Sequence, residues 1–392
     1  MKDNREFDVV IYGASGFTGQ LIAEYLASRA AQESGLRWAI AGRSADKVAA
    51  VAAESGLPAD LPIIAADSAD LEAMNTLASR TKVILTSVGP YQLYGSLLVE
   101  ACATNGTDYV DLCGEPNWMR EMIDKHQEAA QASGARIVFS CGFDSIPSDL
   151  GVHYLQTQAK AKFGTPLPQV RGRVRAMNGG ASGGTVASMQ ATMVAAMENP
   201  AVGALLKNPF GLANPEFDGP KQPSSHKPCF DEGVGSWAAP FVMAVINIPN
   251  VHRSNFVQGF SYGENFTYSE MILTGPGEKG EKIANAMAVP SLTGNGDTPQ
   301  PGEGPSREEQ VAGNFDILFI GENDSGDTLR VSVTGDRDPG YGSTSRMISE
   351  AALTLAMDNV ATPGGIWTPA AALGDKLIDR LGAHAGLEFK VE

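Results

Sequence analysis

Short apolar runs alternate with helix-spaced ones through the first 150 residues of the chain. DVVIYG (8–13) reads as an apolar strand, and FTGQLIAEYLASRAAQ (17–32) follows it with Leu21, Ile22, Tyr25 and Leu26 at helical spacing. RWAIAG (37–42) predicts a second strand, with Ser44 as N-cap of the helix behind it. LPIIAAD (61–67), KVILTSVG (82–89), DYVDLC (108–113) and ARIVFSCG (135–142) continue the series. Helices predicted around DLEAMNTLAS (70–79), GSLLVEACATNG (95–106) and NWMREMIDKHQEAAQAS (117–133) separate them. Strands apolar throughout are buried on both faces, so six of them with helical crossovers predict an α/β fold with a Rossmann-type, doubly wound parallel sheet.

Beyond about residue 155 the rhythm changes. QVRGRVRAM (169–177), FVMAVINIP (241–249), FTYSEMILTG (266–275), FDILFIGEN (315–323) and TLRVSVTGD (328–336) predict strands of a mixed or antiparallel sheet, with Pro/Gly-rich loops at 208–230 and 288–306. WAAPFVMAVINIP (237–249) is expected as a buried strand, the second reading being a greasy surface for a lipid-like substrate. PSLTGNGDTPQPGEGPSREEQ (290–310) offers little to bury and is expected as a mobile loop. Two helices follow, TSRMISEAALTLAMDN (344–359) and PAAALGDKLIDRLGA (369–383), the second with Leu373, Leu377, Ile378 and Leu381 on one face. The pattern divides the chain into a Rossmann domain (1–155), a second α/β, mixed-sheet domain (156–340) and C-terminal helices (341–392) that pack back on the first.

Gly13, Gly16 and Gly19 stand three apart where the first strand passes into its helix. The first lets the chain turn, the second lets backbone approach a pyrophosphate, and the third lets helix and strand pack closely. The phosphates then face unpaired N–H groups and the positive end of the helix dipole. A dinucleotide site is predicted there. The second strand ends AGRS, without the acid that would hold a ribose 2′-OH. Arg43 offers a planar fork and Ser44 a hydroxyl to a 2′-phosphate, which favours NADP(H). The rival reading of Arg43 is a solvated charge at a helix start. Asp67, ending the third strand, is placed near the adenine or serves as a cap. Ser87, Val88 and Gly89, ending the fourth, are placed by the nicotinamide ribose.

Charge narrows the partners: 29 basic against 45 acidic residues give a net −16, which disfavours nucleic acid and anionic membranes. No stretch is long and apolar enough to span a bilayer, and the polar start carries no signal sequence, so a cytoplasmic enzyme is expected, peripheral to a membrane only through a partner. Cys102, Cys113, Cys141 and Cys229 form no CxxC pair, and the five histidines form no metal motif, so no metal is expected. A second copy of the chain is an admissible partner that nothing in the sequence selects.

The loops after strands four to six, SVGPYQLYG, DLCGEPNW and SCGFDSIPSDLG, hold the candidate chemistry: Tyr91, Tyr94, Asp111, Glu115, Asp144 and Ser145. Tyr91, as proton donor, and Asp144 and Ser145, as polar catalytic groups, are the catalytic candidates. Wall packing and a capped helix entry are the rival readings. NGGASGGTVASM (178–189), with Ser182 and Thr185, offers a second glycine loop for a carboxylate or thioester oxygen. GDRDPGYGSTSRM (335–347), with Arg337, Tyr341, Thr344 and Arg346, is placed to close over the site. None of the nine tyrosines has lysine four residues on, which excludes the proton relay of short-chain dehydrogenases.

YGASGFTG, AGR, SVGPYQLYG, YVDLCGE, GFDSIPSDLG, GGTVASM, GDRDPGYGSTSRM and GGIWTPAAALGDKL, in this order, resemble the saccharopine dehydrogenase-like oxidoreductases, closest to the bacterial branch that includes mycobacterial trans-acting enoyl reductases. The resemblance implies an NADP-binding Rossmann domain, an α/β domain and a returning tail, with cofactor contacts at Gly13, Ser15, Gly16, Phe17, Thr18 and Arg43. It leaves the reaction open between C=C reduction of a carrier-bound, lipid-like enoyl thioester and C=N reduction of a dicarboxylic imine adduct, the latter needing arginines such as Arg171, Arg173 and Arg175. A cofactor-binding scaffold without turnover is the third reading.

Overall fold

The computed structural model describes residues 4–33, 35–180, 183–214, 216–288 and 303–392. Two seven-stranded sheets organise them. The first holds β1 (Phe7–Tyr12), β2 (Trp38–Gly42), β3 (Ile63–Ala65), β4 (Thr81–Thr86), β5 (Asp108–Val110), β6 (Arg136–Val138) and β13 (Gly365–Trp367), all parallel, in the order β13-β6-β5-β4-β1-β2-β3. The period of two along each strand splits the side chains between two layers. Val9, Ile11, Val83 and Leu85 face the helices Phe17–Ala30, Ile146–Phe163 and Thr344–Met357. Val10, Tyr12 and Ile84 face Leu71–Arg80, Ser96–Asn105 and Pro116–Ser133.

The second sheet is mixed. It comprises β7 (Gln169–Asn178), β8 (Cys229–Asp231), β9 (Ser236–Pro240), β10 (Thr267–Gly275), β11 (Asn314–Glu322), β12 (Thr328–Gly335) and β14 (Leu387–Val391), in the order β14-β12-β11-β7-β10-β9-β8. Only β7 and β10 pair in parallel. Its inner residues Val170, Val174, Phe315, Ile317, Phe319, Val331 and Val333 join the same core as Val9 and Ile11. The helices between the sheets therefore bury both sides, and one apolar core spans the two.

Three expectations are corrected. WAAPFVMAVINIP is no single strand: β9 ends at Pro240, and Ala244–Val257 is a helix carrying Pro249 inside it. The helix is buried along most of its length and exposes Val245 beside Val242. The part of the helix inside this stretch, residues 244–249, is apolar but for Asn247 and too short to show a helical period, which is why the stretch resembles a strand. Within 290–310, Arg307–Ala312 is helical, started by a capping box in which Ser306 and Glu309 satisfy each other's backbone; positions 289–302 lie outside the described residues. The tail also supplies more than helices. Thr344–Met357 packs on Phe17–Ala30 as expected, but β13 extends the first sheet and β14 the second. The last predicted helix breaks at Leu373 into Pro369–Ala372 and Gly374–Arg380, with Leu373, Leu377 and Leu381 buried. Among the described residues no helix is long and apolar enough to cross a membrane.

Candidate cofactor and substrate site

Parallel strands deliver the loops after β1 to β6 to one edge of the first sheet, the edge where such folds bind ligands. Gly13 turns there with φ +96°, and a Cβ would lie 2.5 Å from Val88 Cγ2. The Gly16 N–H donates to Gly13 O at 3.0 Å and closes the turn. A Cβ on Gly19 would lie 2.1 Å from Gly13 O, so the helix rests directly on the turn. At Gly16 a Cβ would meet nothing nearer than 3.5 Å, leaving that side open. The helix starts with no side-chain cap and no acidic residue in its first turn, so its N–H groups and dipole are offered to an anion. This cradle fits a pyrophosphate. Ser15 is exposed, and Phe17 and Thr18 are half-buried beside it.

Arg43 is exposed at the tip of β2, and among the described residues it makes no ion pair. Asp67 is exposed at the end of β3, and the charges of Asp67 and Arg43 act in opposite directions on the Tyr12 hydroxyl. Ser44 Oγ accepts from Lys47 N at 3.4 Å, the predicted N-cap. Asp67 Oδ1 accepts from Ala69 N at 3.0 Å, so this acid tightens its own turn. Arg43, exposed at the tip of β2, is the candidate contact for a 2′-phosphate. Arg43→Ala is expected to weaken NADPH binding by about 10- to 100-fold, the value of one charge-assisted contact of ~1.5–3 kcal/mol, and to leave NADH affinity within about twofold. Paired titrations followed by tryptophan fluorescence measure both.

At the other end, the Ser87 N–H donates to Tyr12 O at 3.2 Å and the Val88 N–H to Thr86 Oγ1 at 3.2 Å. Gly89 faces Ser188 of the helix Gly183–Glu198, whose Oγ lies 3.4 Å from where a Gly89 Cβ would stand. The second sheet's connections thus roof the cofactor edge. Tyr341 stands edge-on to Phe17, centroids 5.2 Å apart, and its hydroxyl is 2.9 Å from Thr185 Oγ1. Asp338 accepts from the N–H groups of Tyr341 and Gly342 at 2.9 and 2.6 Å and shapes the turn. GDRDPGYGSTSRM therefore closes on the glycine loop. Of its other residues, Arg337 and Arg346 reach Asp336, and Thr344 Oγ1 accepts from Phe143 N at 2.9 Å. Ser182 lies outside the described residues.

Tyr91 does not sit as a proton donor would. It is buried, its hydroxyl donating to Thr86 O at 3.3 Å and accepting from Leu112 N at 3.0 Å, and burial pushes its ionisation well above the ordinary tyrosine range. Its ring packs against Trp118, which is the wall-packing reading. Asp111 is enclosed by donors from Tyr109, Cys113 and Ser140, and Glu115 holds Tyr91 N, Gln92 N and Gln92 Nε2. These two carboxyls brace loops. Asp144 is different. Its residue is partly exposed, yet its Oδ1 is shut from solvent with no hydrogen-bond partner among the described residues. Burial lifts its pKa to about 7. Ser145 is buried and its Oγ accepts from Asn250 Nδ2 at 2.9 Å. Asn247, Asn250 and Glu270, which sequence reasoning missed, gather at the same place. The signal was a run of polar residues, Asn247, Asn250, His252, Arg253, Ser254 and Asn255, on a helix buried among apolar neighbours.

Residues 9–138 match the family model for the saccharopine dehydrogenase NADP binding domain. The chain is 40% identical over 412 residues to a Mycobacterium tuberculosis protein named "Putative trans-acting enoyl reductase", with 98% of this chain and 97% of that one covered. It is 36% identical over 408 residues to the trans-acting enoyl reductase of Mycobacterium leprae, covering 97% and 96%. Among solved structures, apo saccharopine dehydrogenase (L-Glu forming) of Saccharomyces cerevisiae shares the fold, with TM-score 0.53 at 12% identity over 98% of this chain and 99% of that one. The glycine cradle, the cation at the second strand's tip and the full-length relatives converge: the chain belongs to the saccharopine dehydrogenase-like, NADP(H)-dependent oxidoreductases, in the branch of the trans-acting enoyl reductases.

Proposed function

We propose that this chain reduces the C=C bond of a lipid-like enoyl thioester presented on a carrier; its relatives are named enoyl reductases, and the lipid-like, carrier-bound acceptor is our own reading. When bound, NADPH supplies a hydride from C4 of its nicotinamide; the chain places the acceptor against it and excludes water. The observation that carries the reading is the helix Gly183–Glu198. It carries no charge before Glu198, starts against Gly89 and Tyr341, and exposes Met189, Met193 and Met197 at intervals of one turn, with Val194 alongside. An acyl chain leaving the nicotinamide end along this helix would find apolar, adaptable side chains.

The arginines speak against the imine adduct. Arg173 is buried against Asp231 at 2.8 Å, Arg171 pairs with Glu322 at 2.8 Å, and Arg175 pairs with Asp316 and Glu392 at 2.8 and 2.6 Å. They do not line up as solvated cations along one face, and their charge is matched by carboxylates of the chain itself. A cytoplasmic site of action, with lipid intermediates reached through a carrier or partner, belongs to this reading.

The test is NADPH oxidation with trans-2-enoyl N-acetylcysteamine thioesters of increasing chain length. Activity is expected to rise with length, and Met193→Glu to lower kcat/KM for long thioesters about tenfold while short ones and NADPH affinity stay unchanged, since each buried methylene is worth ~0.8 kcal/mol. Val245→Asp, on the exposed side of the helix Ala244–Val257, tests the same for that surface. Oxidation driven by a keto acid with an amine, and by no thioester, would transfer the chain to the imine reading. Tight NADPH binding without turnover on either would make it a scaffold.

A further inference from the structure

The loop that follows β6, the start of the helix Ile146–Phe163, the helix Ala244–Val257 and β10 meet between the two sheets and enclose a cluster of buried polar side chains, a polar chamber lined by Ser145, Ser148, Asn247, Asn250 and Glu270. Asn250 Nδ2 donates to Ser145 Oγ at 2.9 Å. Ser148 Oγ and Asn247 Nδ2 both donate to Glu270 Oε1, at 2.6 and 3.3 Å. Asn247, Asn250, Ser145, Ser148 and Glu270 are each 1% exposed or less. Asp144, next to Ser145, acts electrostatically on Glu270.

After these bonds, four buried acceptors have no donor among the described residues: Asp144 Oδ1, Asn247 Oδ1, Asn250 Oδ1 and Glu270 Oε2. A buried acceptor without a donor costs roughly 1–3 kcal/mol, so four in one place mark a site completed by something the chain does not supply. Exchanging O and N of either amide leaves a polar atom unpaired in the same place. The chamber adjoins the cofactor edge. Asp144 Oδ2 lies 3.8 Å from where a Gly114 Cβ would stand, and the next residue, Glu115, holds Tyr91 N, two residues from Gly89.

We propose that this chamber receives the carbonyl end of the acceptor and that Asp144 delivers the proton that completes the reduction, with Asn247, Asn250 and Glu270 positioning the pair. The proposal rests on the reductase reading above. In the step, the acceptor takes a hydride at its β carbon from the reduced cofactor, which leaves oxidised. The C=C π pair moves towards the thioester carbonyl, the Asp144 O–H bond breaks, and its proton forms the new bond at the α carbon. The carboxylate then regains a proton from water.

A neutral acid is available for this near neutrality, because burial lifts Asp144 and Glu270 each to about 7. Of the other titratable groups on these elements, Arg253 donates to Leu212 O and Ile366 O at 2.7 and 2.6 Å, His252 Nε2 lies 3.1 Å from Gln222 Oε1, and burial lifts Asp149 to about 7 as well. Arg173 of β7 pairs with Asp231, Asp149 accepts from Ala370 N at 2.8 Å, and Asp111 and Glu115 hold their loops.

The experiment compares wild type, Asp144→Asn and Glu270→Gln by NADPH titration, by turnover of a trans-2-octenoyl N-acetylcysteamine thioester from about pH 6 to about pH 9, and by infrared difference spectroscopy of protonated carboxyls. Asp144→Asn is expected to bind NADPH within about twofold of wild type, to lose kcat by about 100-fold or more, and to lose one carboxylic-acid C=O band. Wild-type kcat should fall as pH rises through the acid's titration; Asp144→Asn should lose that limb, and Glu270→Gln should move it to lower pH by removing a neighbouring negative charge. A kcat within about threefold of wild type in Asp144→Asn, or an unchanged infrared spectrum, overturns the proposal. If wild type reduces no thioester but turns over a keto acid with an amine, the enoyl reading has failed and the chamber has not. The same loss is then expected in Asp144→Asn, with the proton delivered to nitrogen. Turnover of neither overturns both.

Discussion

Gly19→Ala is expected to abolish useful NADPH binding, with affinity down by more than about 100-fold, equivalent to ~2.7 kcal/mol, and the fold weakened by about 1–3 kcal/mol. The added Cβ would lie 2.1 Å from Gly13 O, 2.8 Å from Gly13 C and 2.9 Å from Ala14 Cα. All three atoms are backbone, so no rotamer change relieves the overlap. The helix Phe17–Ala30 must lift from β1, and with it go the N–H groups that form the anion cradle. Gly16→Ala is the discriminating control. Its Cβ meets only Gly13 O, at 3.5 Å, and Gly16 already has the extended φ of −84° that alanine accepts. That variant should keep its urea midpoint and still lose NADPH, because the methyl group occupies the open side where the pyrophosphate belongs. Unaltered NADPH affinity in Gly16→Ala would remove the pyrophosphate from this loop.

The contrast between these glycines shows what the sequence could convey. The spacing of Gly13, Gly16 and Gly19 encodes a local geometry, and local geometry is legible because the residues that make it are neighbours in the chain. The same holds for Ser44 as a cap and for the alternation of apolar runs that gave the first sheet, whose strands are buried on both faces. The chamber at Asp144 was only half legible. Asp144 and Ser145 stand in a loop where polar residues attract notice, but Asn247, Asn250 and Glu270 arrive from more than 100 residues away on elements whose own pattern is set by burial. Tyr91 misled for the reverse reason. Its loop is at the right edge, yet its hydroxyl is engaged by Thr86 and Leu112, which no spacing reveals. Arg171, Arg173 and Arg175 alternate along β7, but Arg171 and Arg173 share Asp231 of β8, Arg171 also reaches Glu322 of β11, and Arg175, at a register irregularity, pairs with Asp316 and Glu392. The tail strands β13 and β14 are three and five residues long, and segments that short acquire their identity from the sheet edges they join.

Glu350→Ala is expected to cost about 3–5 kcal/mol, a large share of the stability of a typical domain. Glu350 is fully buried on the helix Thr344–Met357. Its Oε1 accepts from Arg29 Nε and from Tyr25 OH, both at 2.8 Å, and its Oε2 accepts from Arg380 Nη1 at 3.1 Å. Arg29 belongs to the helix that opens at the glycine loop, and Arg380 to the helix Gly374–Arg380. One carboxylate thus joins the C-terminal segment to the cofactor helix. Glu33 and Asp358 pair with the outer sides of the two arginines, Glu33 at 2.7 Å from Arg29 and 3.2 Å from Arg380, and Asp358 at 2.8 Å from Arg380. Deleting the central anion leaves the buried Arg29 with Glu33 alone and the part-buried Arg380 with Glu33 and Asp358, and the under-compensated charge of Arg29, more than the lost attraction, sets the cost. The triple variant Arg29→Met, Glu350→Leu, Arg380→Met removes the charges together and should recover most of the loss in urea unfolding. A Glu350→Ala midpoint shift worth less than about 1 kcal/mol would mean that water reaches the arginines and that the apolar face of Leu373, Leu377 and Leu381, not the ion network, anchors the tail.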